Sequence, residues 1–579
     1  MTTLARLLAS SVIVLSLLAA TLIAQRPANA PATKDAGKPP DTVMLEDLTW
    51  AEVRDLIKAG TTTVIVGTAG TEQKGPHMVD GEHKFAMQYA SDQIARGLGE
   101  TLVAPVITYV PEGSWENPGG HMGKPGTITL PEDRFVDLLV ETGRSLKAGG
   151  FKTILFLGDS GGNRTGMRNA AAKLDEMWAG SARAFWIDDY YTKSGDDQRA
   201  WIVKNLGIPE NEIGGHANIL DTSELMFIAP QHIRRNKLAP GGGYQNSGVT
   251  GDPTKATPEL GKIFLQIKVD CALAQIRGLM AGTLQPAPLP DPNAAGRGGR
   301  GGGRGGRGGR GNADANAGPP QPTMLTAPAG VSPTNPPDTV FIDELTWEET
   351  RDLMKAGRTT AIIPTGGTEK NGYHMILGKH NYIVTYAANM MARQLKNALV
   401  APTVQYVPEG NPDRAGPGVI SLPSPAFDRL LDAAARSLKA HGFTDILIIG
   451  DSGGNQAGIR AVAEALNAEW KDSPARVYPL TDYYEEGRSR YRAYMNKQFG
   501  FDDQTVGSHA GISDTSQLLH VRPEGVRKDQ IMPWGGPQDS GVSGDPTKAT
   551  AAIGKMGIEL KVAAGLDQYR ALKAKGGQQ

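Results

Sequence analysis

A three-layer α/β/α sandwich with a mostly parallel sheet, present twice in tandem, is the fold class this sequence predicts. Three observations predict it: a domain-length internal repeat, alternating strand and helix patterns within each copy, and polar motifs placed where strands end. The repeat is explicit. LTWAEVRDLIKAG (48–60) returns as LTWEETRDLMKAG (345–357), and GTEQKGPHM (70–78) as GTEKNGYHM (367–375). LGDSGGN (157–163) returns as IGDSGGN (449–455), and SGVTGDPTKAT (247–257) as SGVSGDPTKAT (540–550). The spacing between partners hardly drifts, which means duplication and fusion of a whole domain. A solenoid would repeat every ~20–50 residues.

Within the first copy the elements follow in order. Residues 61–67 (TTTVIVG) form an apolar run short enough for a buried strand, and a polar loop follows. Residues 102–110 are strand-like, and residues 135–148 carry apolar side chains at helical spacing. Residues 153–157 (TILFL) read as a short, fully buried strand ending in Gly158-Asp159-Ser160-Gly161-Gly162, and residues 170–178 as helix. Strands alternating with helices make a parallel sheet covered on both faces, and its site lies beyond the carboxyl ends of the strands. Cys271, the only cysteine, sits in an apolar periodic run and is expected to be a buried helix residue rather than part of a disulfide.

Residues 1–30 read as a secretory signal: Arg6, then an almost wholly apolar stretch from Leu7 to Ala24, then Ala28-Asn29-Ala30 at cleavage spacing. The expected setting is periplasmic or extracellular, with no stable membrane anchor after cleavage. The two domains are expected at 40–284 and 337–575. Between them, 285–336 is a Gly/Arg/Pro-rich linker bearing Arg297, Arg300, Arg304, Arg307 and Arg310, too poor in apolar surface to fold. A net charge of −1 gives no bias toward nucleic acid, and none is expected as a partner.

Three polar clusters recur in both copies. They are Glu72 through His77 with His83 (Glu369 through His374 with His380), Asp159 through Asn163 (Asp451 through Asn455), and His216-Ala217-Asn218 with Asp221-Thr222-Ser223 (His509-Ala510-Gly511 with Asp514-Thr515-Ser516). Carboxylates, imidazoles and a hydroxyl on loops are what a metal site or an acid/base pair needs.

In this order, and with Pro125-Gly126-Thr127-Ile128-Thr129-Leu130 between the first two clusters, the motifs resemble those of the creatininase (creatinine amidohydrolase) family, over nearly all of each copy. The resemblance implies a metal-dependent hydrolase of amide C–N bonds acting on a small-molecule substrate. It also implies two adjacent divalent ions, zinc or manganese, and a homo-oligomer. Fusion of two copies would replace one interface of that oligomer.

The carried-over ligand set is altered. The first glutamate is kept as Glu72 and Glu369, but the histidine two places on is Lys74 and Asn371. The bridging aspartate is His83 and His380, and the histidine of the second motif is Ser160 and Ser452. Three readings follow. In the first, a remodelled site holds metal on Glu72, His83 and Asp159 (Glu369, His380 and Asp451), with His216 and His509 as acid/base groups. In the second, Ser160 and Ser452 are nucleophiles. In the third, both copies are non-catalytic binding or scaffold domains. His121 and Trp115 are expected to line the substrate pocket of the first copy, where the second has Asp413 in place of His121. His77 and His374 are candidates for orienting Glu72 and Glu369. Asp252 and Asp545 are expected to cap turns, and Asn163 and Asn455 to fix loop backbone.

Overall fold

The computed structural model describes residues 39–286 and 336–576. The signal segment and nearly all of the linker lie outside them. Each copy is built on a four-stranded, all-parallel sheet. In copy one the strands are β1 (Thr63–Thr68), β2 (Thr101–Val103), β3 (Thr153–Gly158) and β4 (Arg183–Trp186), in spatial order β2-β1-β3-β4. Copy two repeats this with β5 (Thr360–Thr365), β6 (Ala398–Val400), β7 (Asp445–Gly450) and β8 (Arg476–Pro479). The register Thr63↔Thr153 through Thr68↔Gly158 matches Thr360↔Asp445 through Thr365↔Gly450, so the ends of the two central strands lie side by side in each copy.

The helices of copy one are α1 (Trp50–Lys58), α2 (Glu82–Leu98), α3 (Glu132–Ala148), α4 (Asn163–Trp178), α5 (Thr192–Leu206), α6 (Ile219–Ile228) and α7 (Pro258–Met280). Alternate strand residues feed two cores, as strand pleating requires. Ile65, Leu155 and Leu157 pack on α2 and α7, while Val64, Val66, Ile154 and Phe156 pack on α3 and α4. The helix expected at 170–178 begins earlier, at Asn163, directly off the glycine loop. The strand expected at 102–110 is only Thr101–Val103, because Pro105 has no N–H to give the ladder; the chain rejoins the sheet as a single bridge, Ile107 to Thr68. Cys271 is buried on α7 as expected.

The helices of copy two are α8 (Trp347–Lys355), α9 (Lys379–Leu395), α10 (Ser424–Ala440), α11 (Asn455–Glu469), α12 (Glu485–Phe499), α13 (Ile512–Val521) and α14 (Ala551–Gly576). The two copies face each other through α3 and α10, and one apolar core runs through both. The contacts come in reciprocal pairs, the signature of an isologous interface. The Tyr109 hydroxyl donates to the carbonyl of Pro402, and that of Tyr406 to Pro105. The Ser145 hydroxyl donates to Val419 and that of Ser437 to Thr129, both at 3.2 Å. Asp80 N–H donates to Leu345 and Leu377 N–H to Leu48, both at 2.8 Å.

Arg234 makes a two-pronged pair with Glu349 (2.7 and 2.8 Å), and Arg527 with Glu52 (2.7 and 3.0 Å). Both glutamates also close capping boxes at the starts of α8 and α1. Arg527→Ala therefore strips the partner from a buried carboxylate at the junction. It is expected to cost about 3 kcal/mol, read as a lower urea midpoint with an unchanged slope.

Candidate active site

The loop after β1 carries Glu72, and two glycines make room for the neighbouring Pro111-Glu112 segment. A Cβ at Gly70 would lie 1.9 Å from Glu112 Oε1, and one at Gly162 2.3 Å from the carbonyl of Pro111. Gly367 and Gly454 stand in the same relation to Glu409 and Pro408. The third cluster arrives through a strained turn. Ala217 (φ 50°) and Ala510 (φ 51°) are left-handed, each held by its N–H donating to Asp221 or Asp514 at 2.8 and 2.7 Å.

In copy one Glu72 is the hub. Its Oε1 lies 3.2 Å from Lys74 Nζ, 2.9 Å from His83 Nε2 and 3.1 Å from His216 Nε2, and its Oε2 lies 3.3 Å from His121 Nδ1. Lys74, with a side chain only 2% exposed, also reaches Glu82 (3.1 Å) and Asp221 (3.4 Å). His83 Nδ1 lies 3.1 Å from Asp159, whose other oxygen meets Lys268 at 2.8 Å; Lys268 also meets Glu224 at 2.8 Å. Burial opposes the ionisation of Glu72. Lys74 and the neighbouring imidazoles overcome it and hold the carboxyl well below the usual range. Burial and the charge of Glu72 push Glu112 well above that range. Burial and Lys74 work against protonation of His83, but Glu82, Asp159 and Glu72 raise it well above the ordinary imidazole value.

Copy two keeps the hub with fewer acids. Glu369 Oε1 meets His380 at 2.8 Å, His509 at 3.2 Å and Lys379 at 3.4 Å. Lys379 also meets Asp514 at 2.9 Å, and Lys561 pairs with Asp451. The three carboxylates Glu369, Asp451 and Asp514 face three cations, Lys379, Lys561 and protonated His380. In copy one the carboxylates Glu72, Glu82, Asp159 and Asp221, with Glu224 pushed by burial up to about 7, face only Lys74, Lys268 and His83. Copy one thus carries a surplus of negative charge, and copy two is balanced.

The clefts differ as well. Copy one opens into a single cavity of 1340 Å³, whereas the matching space of copy two is divided at Arg488 into an inner cavity of 260 Å³ and an outer one of 880 Å³. Gly195 of α5 leaves the first open. Arg488, at the matching point of α12, crosses the second by donating to the Tyr484 hydroxyl (2.7 Å) and to the Ser508 carbonyl (2.9 Å).

A two-ion centre does not fit either copy, because ammonium groups already sit between the carboxylates. One further cation does fit copy one. Glu72, His121 and His216 each offer a ligand atom within 4.8 Å of the others. His216 Nδ1 lies 2.6 Å from the carbonyl of Gly248 and donates to it, which leaves Nε2 facing Glu72 Oε1 at 3.1 Å. Burial keeps His121 neutral. The Gln73 carbonyl accepts from Gly75 N–H, which turns its NH₂ toward His121 Nδ1 (3.3 Å). A carboxylate and two imidazoles thus converge at the cleft floor, and a cation held by His121 Nδ1 would displace the Gln73 contact. Among the described residues no comparable group occurs in copy two, where Asp413 turns away to pair with Arg144.

Several site expectations change accordingly. Glu72 and Glu369, His216 and His509 do meet. His83 and His380 are poor metal ligands, because both ring nitrogens of each are engaged by carboxylates. Asp159 and Asp451 serve Lys268 and Lys561 instead. The Ser160 hydroxyl accepts from Gly162 N–H at 3.4 Å, and that of Ser452 donates to Glu409 at 3.2 Å. Among the described residues no imidazole hydrogen-bonds either hydroxyl. Trp115 packs against the core below Arg134, off the cleft wall, whereas His121 lines it. His77 and His374 bond Thr222 and Thr515 (2.9 and 2.8 Å) rather than the glutamates. Asp252 and Asp545 cap short turns, and Asn163 and Asn455 tie the glycine loops to Thr68 and Thr365. Sequence reasoning missed Glu112, Lys268 and the role of Asp221. The signals were the repeated YVPEG (109–113 and 406–410) and a lysine recurring within an apolar helix as Lys268 and Lys561.

The family profile described as Creatininase (creatinine amidohydrolase) matches residues 46–276 and 343–567. The chain therefore belongs to the creatininase family and carries its domain twice. It is 25% identical over 202 residues to the creatinine amidohydrolase of Pseudomonas putida, covering 33% of this chain and 76% of that protein. It is 28% identical over 217 residues to the mycofactocin precursor peptide peptidase of Mycolicibacterium smegmatis, covering 34% and 77%. Among solved structures, a mutant creatininase of the Zn-Zn type aligns at 21% identity with a TM-score of 0.35, over 41% of this chain and 98% of that one. A creatininase with Mn aligns at 17% with a TM-score of 0.35, over 41% and 99%.

Proposed function

We propose that copy one is a metal-assisted amidohydrolase, cleaving an amide or related C–N bond of a small molecule, and that copy two is its non-catalytic structural partner. The observation that carries this reading is the convergence of Glu72, His121 and His216 on the floor of an open cleft with surplus negative charge. These three would hold one divalent ion, zinc or manganese; a glutamate with two histidines suits zinc that keeps an open position. When bound, such an ion supplies Lewis acidity toward a carbonyl and lowers the pKa of water. The rest is the work of this chain's own residues. The Gly248 carbonyl fixes the His216 tautomer, and Gln73 orients His121. Lys74 and His83 hold Glu72 ionised. Glu112, on the cleft wall and pushed upward by burial and by Glu72, is the acid available to a departing nitrogen. An exported, periplasmic setting is supported by the apolar N-terminal segment, and cell fractionation tests it.

Metal analysis of the purified full chain is expected to give about one zinc or manganese per chain, because of the two candidate groups among the described residues, Glu72–His121–His216 and Glu82–His83–Asp159, the second is already occupied by ion pairs with Lys74 and Lys268. The metal is expected to be lost in His121→Ala and His216→Ala and kept in His509→Ala. Turnover of a panel of cyclic and linear amides should fall in the first two variants by more than the ~10–100-fold that outer-sphere changes cost. Metal retained in a His121→Ala/His216→Ala double variant, or metal-free protein of undiminished thermal stability, would sink the reading.

A further inference from the structure

In each copy one ammonium fills the same niche, yet it comes from a different place in the chain. In copy one Lys74 lies between Glu72 and Asp221. In copy two Lys379 lies between Glu369 and Asp514, reaching the same oxygens, Oε1 of the glutamate and Oδ2 of the aspartate. The two lysines are not counterparts. By the repeat, Lys74 corresponds to Asn371, and Lys379 to Glu82. The loop position carries the cation in copy one, and the first residue of α2 is an acid. In copy two the loop position is neutral, and the first residue of α9 carries the cation. Asn371 has turned to structural duty, donating to the carbonyls of Glu369 and Ile376 at 2.9 and 3.1 Å. By contrast Lys268 and Lys561, the second ammonium of each cluster, do occupy corresponding positions on α7 and α14.

We propose that the niche between these two carboxylates requires a cation, and that each copy meets the requirement with a covalently tethered lysine standing in for one of the two metal ions expected of a creatininase-like domain. The physical reason is direct. Two largely buried carboxylates that share one niche repel and lose hydration unless a positive charge separates them, and here that charge is a buried ammonium within 3.4 Å of both. A lysine supplies that charge with three donors and is not lost to chelators or dilution. The niche fixes the charge and leaves open which residue delivers it, so the cation sits at one point in space but two points in sequence. Copy two is then a metal-independent fold, because its remaining carboxylate, Asp451, is matched by Lys561 and His380. This inference stands apart from catalysis by copy one, since its test is confined to copy two.

The test uses two variants of the full chain, melted with EDTA and with added zinc or manganese, and with bound metal counted. Lys379→Gln removes the cation. Its melting temperature in EDTA is expected to fall by about 6–12 °C, with recovery on adding metal and one more bound ion per chain than wild type. Asn371→Lys/Lys379→Gln moves the cation to the copy-one position without changing net charge. It is expected to melt well above Lys379→Gln in EDTA, short of wild type only by the lost Asn371 hydrogen bonds, and to take up no extra metal. The proposal is overturned if Lys379→Gln is as stable as wild type in EDTA and binds no added metal, or if the relocated variant melts as low as Lys379→Gln. Should Lys379→Gln fail to fold in every condition, the relocated variant alone decides: folding supports the proposal and failure overturns it.

Discussion

Glu72→Gln is expected to lower stability by about 3 kcal/mol, a shift of about 6–12 °C in melting temperature for a domain of this size, and to abolish metal retention by copy one. One oxygen, Glu72 Oε1, receives Lys74, His83 and His216 together, and the other faces His121. A carboxamide keeps the shape but removes the charge that offsets two buried cations, and its NH₂ points a donor at groups that are already donors. Lys74 retains Glu82 and Asp221, so the variant should still fold. The decisive comparison is Glu369→Gln. There the same hub serves His380, His509 and Lys379, and the expected result is a similar loss of stability with no change in metal content. Equal metal content in wild type and Glu72→Gln would remove Glu72 from the ligand set.

The second large effect is on pH. His380 is opposed by burial and by Lys379, but Glu369 and Asp451 raise it from 6.5 to about 9. Its folded value exceeds its unfolded value, so the stability it contributes is fully present below pH 6.5 and is lost as pH rises through 9. His374 is the reverse. Burial, aided by Lys379, pushes it down to about 3, so its contribution is full above pH 6.5 and is lost as pH falls toward 3. Copy two should therefore be most stable near pH 6.5, falling by about 3 kcal/mol on the alkaline side. Urea unfolding at pH 4.5, 6.5 and 9 measures both limbs. His380→Gln should make the alkaline limb shallower, His83 of copy one supplying the rest, and His374→Gln the acid one, to which His77 and His441, both pushed down to about 4 by burial, also contribute. An alkaline slope unchanged in His380→Gln would assign it to other groups.

The duplicated fold was readable because its signals are local or repetitive. Apolar runs of strand length, helical spacing on α3 and the paired motifs each need only neighbouring residues or a second copy to be recognised. Errors of extent came from single residues with long reach. Pro105 ended a strand that the apolar pattern would have carried to Val110. The hub glutamates were also legible, since Glu72 and Glu369 stand in matching motifs.

What each hub touches was not legible. His83 looked like a ligand by its spacing from Glu72, yet Asp159 and Glu72 hold its ring from both sides. His121 and Glu112 reach the site from irregular chain between β2 and α3, whose path no periodicity describes.

By itself, then, the sequence determined the architecture, its duplication, the family resemblance and the presence of an acid-and-imidazole site at the sheet ends. Only the tertiary structure decided which carboxylates are already neutralised, which copy is open and where a further cation fits. The reason is physical. Strands and helices follow from periodic burial along the chain, whereas charge balance depends on groups far apart in sequence. Lys74 and Lys379 share a niche without sharing a position, and that equivalence exists only in space.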